Sequence, residues 1–142
     1  MEGDANGALP LVRAWFPALE SADRRLRRGG RVAEIGAASS SAVIAIARAY
    51  PEATFHGFDP DPSAVAAVRD VIAAAGLSDR VTYEVLRAYD VPGPGYDLIR
   101  GQVERGIGPP FRRSALRSGG VWIGYDAYRS TVTGRTALVP RW

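Results

Sequence analysis

The chain has 142 residues, 46% of them hydrophobic and 23% charged, with a formal net charge of +3. One domain is the expectation at this length, and no apolar run reaches the roughly 18 to 20 residues that would span a bilayer. The absence of cysteine removes disulfides, thiol catalysis and cysteine-bound metal, while a single histidine, His56, argues against multi-histidine metal sites and a Ser-His-Asp triad. The first residues, Met1 to Asn6, carry acids and no basic segment, so a secretory signal is not expected and the cytoplasm is the expected location. All 18 cations are arginine, and they are unevenly spread: residues 1–98 carry a net −3 and residues 99–142 a net +6. A basic C-terminal third suits an anionic ligand or partner, or simply a solvated arginine-rich surface. The all-arginine bias is more economically read as genome composition than as a nucleic-acid footprint.

In chain order, the first element is a helix over 9–28, with Leu11, Trp15, Leu19 and Leu26 near one face and arginines in the last turn before Gly29-Gly30. A short apolar strand follows at 31–35, then a small-residue turn over 36–41 and a helix over 42–50 that stops before Pro51. The alternation repeats with a strand at 54–58, a turn with helix-capping residues at 59–63, and a helix over 64–75 in which Val65, Val68 and Ile72 share a face. Further strands are expected at 80–86, 96–100 and 120–125, with Trp122 in the core. The stretch 101–117 is expected to be a loop yielding at most a short helix over 111–117. Segments 129–132 and 136–139, flanking Thr133-Gly134-Arg135, read as a β-hairpin. The whole is an α/β, three-layer, mostly parallel sheet of about five strands plus that hairpin. It divides into a helical segment 1–30, a Rossmann-like core 31–126 and a C-terminal hairpin 127–142.

The strongest local signal is Glu34-Ile35-Gly36-Ala37-Ala38-Ser39-Ser40, where a strand turns tightly into a helix. Such a turn gathers backbone N–H groups and the helix dipole at one point, and in doubly wound sheets that point is a ligand crevice. Asp59, at the end of the second strand, is placed to accept from both hydroxyls of a ribose. The pairing alone is weak, since any parallel α/β domain needs small residues at its turns. The nicotinamide fingerprint is a poor match, because Gly36-x-Ala38-x-x-Ser41 lacks two of its three glycines.

Five stretches carry a resemblance together: Trp15-Phe16-Pro17-Ala18-Leu19, Val32-Ala33-Glu34-Ile35-Gly36, Phe55-His56-Gly57-Phe58-Asp59, Asp79-Arg80-Val81-Thr82-Tyr83-Glu84-Val85 and Tyr96-Asp97-Leu98. In order and spacing the chain resembles the class I S-adenosylmethionine-dependent methyltransferases, bacterial small-molecule enzymes in particular, from about residue 15 to about 126. The resemblance implies S-adenosylmethionine as cofactor and a small-molecule substrate, and from the composition no metal is expected. It implies that Glu34 lies near the methionine amino group, that Gly36, Ala37 and Ala38 line the turn beneath the methionine part, that Asp59 holds the ribose hydroxyls, and that Pro60, Arg87 and Ala88 lie at the adenine. Glu104, Tyr125 and Asp126 are the candidate catalytic residues.

The departures fall at the site. Ala38 and Ser40 stand where the family has glycine, and Arg87 stands where it has an aspartate that accepts from the adenine amino group; an arginine is a donor only. After the fourth strand, the family's acid and His-Asp pair are replaced by Arg100-Gly101-Gln102-Val103-Glu104-Arg105-Gly106. Two readings follow, a small-molecule methyltransferase or a non-methylating member of the fold, either a repurposed catalyst such as a cyclase or a binding partner. A homo-oligomer or protein partner stays open. Tyr89, Tyr125 and Tyr128 are candidates for an aromatic rim. Arg100, Arg105, Arg112, Arg113 and Arg117 are candidates for an anion patch. Asp97 and His56 are read as structural.

Overall fold

The computed structural model describes residues 20–37, 40–93, 95–102, 111–125 and 137–138. Its elements are α1 (Glu20–Arg27), β1 (Arg31–Ile35), α2 (Ser40–Ala49), β2 (Thr54–Asp59), α3 (Pro62–Ala74), β3 (Val81–Val85), β4 (Tyr96–Gln102), β5 (Leu116–Tyr125) and β6 (Ala137–Leu138), with 3-10 turns at Ala88–Asp90 and Arg113–Ala115. The sheet order is β3-β2-β1-β4-β5-β6. The first five strands pair in parallel, and β6 runs antiparallel to β5. This is the α/β architecture expected from alternating strands and helices.

Local chemistry explains the boundaries. The end of α1 is closed by Gly30 N–H donating to the Arg25 carbonyl at 2.8 Å. At the start of α3, the Asp61 side chain accepts from the Ser63 N–H at 2.9 Å, and Pro62 supplies a first-turn residue that has no N–H to satisfy. At and just beyond the end of α2, the Arg80 guanidinium donates to the carbonyls of Ala47, Tyr50 and Ala53 at 3.0, 3.2 and 3.0 Å, and the Tyr50 carbonyl also accepts from the Ala53 N–H at 3.1 Å.

The core has two parts, one on each face of the sheet. On one face Leu26 of α1, Val43, Ile46 and Ala47 of α2, and Val65, Val68 and Ile72 of α3 pack on Val32, Phe55, Val81, Tyr83, Leu98 and Ile123. On the other face Ala33, Phe58, Tyr96, Ile99 and Trp122 pack with Val91, Phe111 and Ala115, and none of these comes from a described α-helix. Fully burying a large apolar side chain is worth about 1.5–3 kcal/mol, so both faces contribute to holding the sheet. Trp122 is buried with its ring edge-on to Phe111, centroids 5.0 Å apart, as the sequence leads one to expect.

Three expectations shift. The segment 111–117 forms no α-helix beyond the one 3-10 turn, and β5 begins at Leu116, four residues earlier than expected. The cause is tertiary: Ala115 is buried, and Leu116 lies opposite Tyr96 while Val121 lies opposite Leu98. Those extra residues on β5 form a bulge, and Gly119 at φ +74° takes the turn that an L side chain resists. Second, β4 runs on to Gln102 because its partners on β1 and β5 continue alongside. Third, Ala137 and Leu138 pair with Gly124 and Ile123 of β5. The expected partner arm 129–132 lies outside the described residues, as do positions 9–19 of the first helix.

Candidate functional site

Strand order reverses between β1 and β4: β2 and β3 lie to one side of β1, while β4 and β5 lie to the other. In an open parallel sheet, ligands bind beyond the carboxyl ends of the strands at this reversal, because the connections there leave in opposite directions. Glu34 through Ala37 form the exit of β1 at that point.

Gly36 carries φ +99°, and among the described residues no heavy atom beyond its chain neighbours lies within 4 Å of where a Cβ would stand. Its glycine is required by the backbone, and the space beside it is open. The Gly36 N–H donates to the Phe58 carbonyl at 2.7 Å, which extends the β1–β2 ladder by one residue. Asp59 then locks the exits together. Its Oδ2 accepts from the Ala37 N–H at 2.9 Å and its Oδ1 from the Asp61 N–H at 2.8 Å. Its own carbonyl accepts from the Leu86 N–H at 3.0 Å, so one residue ties the exits of β1, β2 and β3. An ionised carboxylate offers about four lone-pair sites. With one backbone donor on each oxygen, half-buried Asp59 still has the capacity to accept from two neighbouring hydroxyls.

Beneath the turn lies a buried ion pair. Glu34 and Arg100 are Cα partners on β1 and β4, only 1% and 3% exposed, with Arg100 Nη1 3.1 Å from Glu34 Oε2. Each charge makes the other tolerable in a place neither could occupy alone. Sequence reasoning placed Arg100 in a surface patch and missed this partner. The signal was present, since a cation inside the apolar run Tyr96-Asp97-Leu98-Ile99-Arg100 needs a buried acid.

The proposed anion patch does not assemble among the described residues. Arg100 is taken by Glu34. Arg117 is at the opposite, amino edge of the sheet, where its guanidinium lies 3.5 Å from buried Asp97. Arg112 stacks on the exposed Tyr89 ring, 4.6 Å from its centroid. Arg105 lies outside the described residues. Arg87, at the exit of β3, is exposed and turned onto Asp90, with Nε 3.0 Å from Oδ2. Pro60 is exposed beside Asp59, and Ala88 is half-buried in the turn after β3. Tyr125 ends β5 at the carboxyl edge, in register with Gln102. Ala38, Glu104, Asp126 and Tyr128 lie outside the described residues.

Two residues read as structural have clear surroundings. Asp97 Oδ2 accepts from the Arg31 N–H at 2.9 Å, and Arg25 lies 3.7 Å from Oδ1. His56 is half-buried on the face away from the helices, its ring 5.8 Å from that of Tyr96. Burial first, then the charge of Arg31, lower its pKa, and Glu84 works in the opposite direction.

The donor set fits a nucleoside at its ribose: an acid with spare acceptor capacity beside an open turn at the reversal point. It offers nothing for a base amino group at Arg87, which can only donate. Among the described residues no cluster of His, Asp and Glu could hold a metal ion.

No protein-family model and no curated protein matches the sequence. Solved structures do. The chain is similar to a protein assigned as a sarcosine dimethylglycine methyltransferase of Galdieria sulphuraria, with a TM-score of 0.63 and 19% identity over 79% of this chain and 45% of that one. It is also similar to an O-methyltransferase from a trans-AT PKS multienzyme of Brevibacillus brevis, solved with S-adenosyl-L-homocysteine, with a TM-score of 0.59 and 21% identity over 84% and 48%. A third is the 4+2 cyclase SpnF, with a TM-score of 0.58 and 18% identity over 78% and 44%. At these identities the likeness is one of fold: the chain has the class I S-adenosylmethionine-dependent methyltransferase fold, and it spans less than half the length of each of the three.

Proposed function

We propose that this chain binds S-adenosylmethionine at the carboxyl edge of its sheet and serves methyl transfer to a small molecule. The observation that carries this reading is Asp59, held by the Ala37 and Asp61 N–H groups beside the open turn at Gly36. In this reading Asp59 accepts from the two ribose hydroxyls, and the Gly36-Ala37 turn lies beneath the amino-acid part. Pro60 and Ala88 flank the base, with Arg87 donating toward it where the family has an acceptor. When bound, S-adenosylmethionine supplies a methyl group on a cationic sulfur that an electron pair of the substrate can displace.

That displacement gains most from holding the two reacting atoms in line, so the chain's task is chiefly orientation. Tyr125, with Glu104 and Asp126 as the other candidates, would take the substrate proton where the accepting atom carries one. The sarcosine dimethylglycine methyltransferase among the neighbours supports a small-molecule substrate. A second reading, a non-methylating catalyst in the same cleft, draws support from Arg87 replacing an acceptor and from the cyclase among the neighbours.

The test is thermal unfolding of the wild type, Asp59→Asn and Asp59→Ala, with and without S-adenosylmethionine or S-adenosylhomocysteine. At about 100 times Kd a ligand that binds only the native state adds about 2.7 kcal/mol of stability. The wild type is expected to show a saturable upward shift, reduced in Asp59→Asn and absent in Asp59→Ala. No shift in the folded wild type at millimolar ligand refutes cofactor binding and leaves the non-methylating reading.

A further inference from the structure

We propose that the outer edge of β3 is a self-complementary surface for a second copy of this chain, and that the Arg69 side chain, laid across it from α3, keeps it closed. The proposal is independent of what the cleft binds. Among the described residues β3 is the terminal strand of the sheet, flanked by β2 alone. Its hydrogen bonds show which backbone groups face outward. On the inner side, the Phe55 N–H donates to the Arg80 carbonyl at 2.8 Å and the Leu86 N–H to the Asp59 carbonyl at 3.0 Å. Alternate residues of a parallel strand aim their amide groups at the same neighbour, so Thr82 and Glu84 address β2, while Val81, Tyr83 and Val85 address the edge. Two outer bonds agree. The Val81 N–H donates to the Leu77 carbonyl at 2.9 Å, and the Tyr83 carbonyl accepts from Arg69.

Edge strands invite pairing, and proteins protect them with bulges, prolines or charges. β3 keeps an unbroken register with β2, and its sequence, Val-Thr-Tyr-Glu-Val, is strand-prone and free of proline. Val85, at its end, is 48% exposed. The obstruction is Arg69, whose Nη2 and Nε lie 2.6 and 3.0 Å from the Tyr83 oxygen. A neighbouring strand would run about 4.8 Å from β3. The guanidinium stands inside that gap, at the middle of the strand, so no strand seats there while it is in place. Without it the edge matches itself. Two antiparallel copies of β3 centred on Tyr83 set Val85 of each opposite Val81 of the other, with the Val85 N–H aimed at that Val81 carbonyl at both ends of the seam. Glu84 of one copy falls opposite Thr82 of the other, so no like charges face each other. Such a twofold contact uses the same patch on both copies, which is why the second copy is the fitting occupant.

The test is sedimentation velocity across a concentration series on the wild type, R69M and the double variant R69M/V85P, each checked for fold by far-UV circular dichroism. Proline at position 85 removes an outward N–H and leaves the ladder to β2 intact. R69M is expected to approach twice the wild-type mass as its concentration rises, and R69M/V85P to return to the wild-type mass. Hydrogen exchange at the Val85 amide is expected to slow in R69M relative to the wild type. A folded R69M that sediments as the wild type does at every concentration overturns the proposal. So does association of R69M that V85P leaves unchanged, since the contact would then lie elsewhere. Should R69M fail to fold, R69Q, which also withdraws the guanidinium from the edge, is read against the same results.

Discussion

Replacing Asp97 by alanine isolates what holds the amino edge of the sheet. Three contacts meet on its 2% exposed carboxylate: the Arg31 N–H at 2.9 Å, Arg117 at 3.5 Å and Arg25 at 3.7 Å. A hydrogen bond to a charged acceptor contributes about 1.5–3 kcal/mol, and its loss strands a backbone donor at the first residue of β1. The arginines are partly or largely exposed, 35% for Arg25 and 64% for Arg117, so each pair is worth at most about 1 kcal/mol. Asp97→Ala is therefore expected to cost about 3 kcal/mol. Asp97→Asn retains an acceptor for the Arg31 N–H, loses the two weak pairs and is expected to cost about 1 kcal/mol. Urea unfolding followed by far-UV circular dichroism, with a common slope, reads both values. Equal losses in the two variants would refute the argument, because the backbone bond would then not be the dominant contact.

Other consequences can be checked separately. Arg80→Ala removes the side-chain donor to the Ala47, Tyr50 and Ala53 carbonyls, of which Tyr50 keeps the Ala53 N–H, and is expected to cost about 2 kcal/mol in the same unfolding assay, with Arg80→Lys recovering part of it. The pKa of His56 is lowered in the folded state, so the unfolded chain binds the extra proton first as pH falls below about 6.5, and stability drops with it. Melting temperature is expected to decline from pH 7 to pH 5 in the wild type and to do so less in His56→Gln. The lowered carboxylates Asp23 and Asp61 act at lower pH, outside that window.

Much of the fold could be read from residues. Buried parallel strands are short apolar runs, and each was bracketed by punctuating residues: Gly30 and Gly36 around β1, Asp59-Pro60 after β2, Gly95 before β4. The N-cap at Asp61 and the Gly76 after α3 bounded that helix to within about two residues. The segment 111–117 misled because Phe111 and Ala115 have helical spacing, yet both serve the core from a turn and Leu116 is drawn into the sheet. Within the site, Asp59 was legible because its role depends on its place at a strand end. The partnership of Glu34 and Arg100 was not, because 66 residues separate them and only strand register makes them neighbours.

The two-part core also divides the chain in time. The helix-covered part is drawn almost wholly from residues 26–83, with Leu98 and Ile123 as its late buried members. The unit β1-α2-β2-α3-β3 closes short loops, whereas β4 must find the free edge of β1 across some sixty residues. Folding is thus expected to proceed from the β3 side, and native-state hydrogen exchange to show β4 and β5 opening as a unit while β2 stays protected. The crevice lies on the seam between these units. A ligand that spans the seam would act as a staple, slowing exchange most in β4 and β5, which lie across β1 from Asp59.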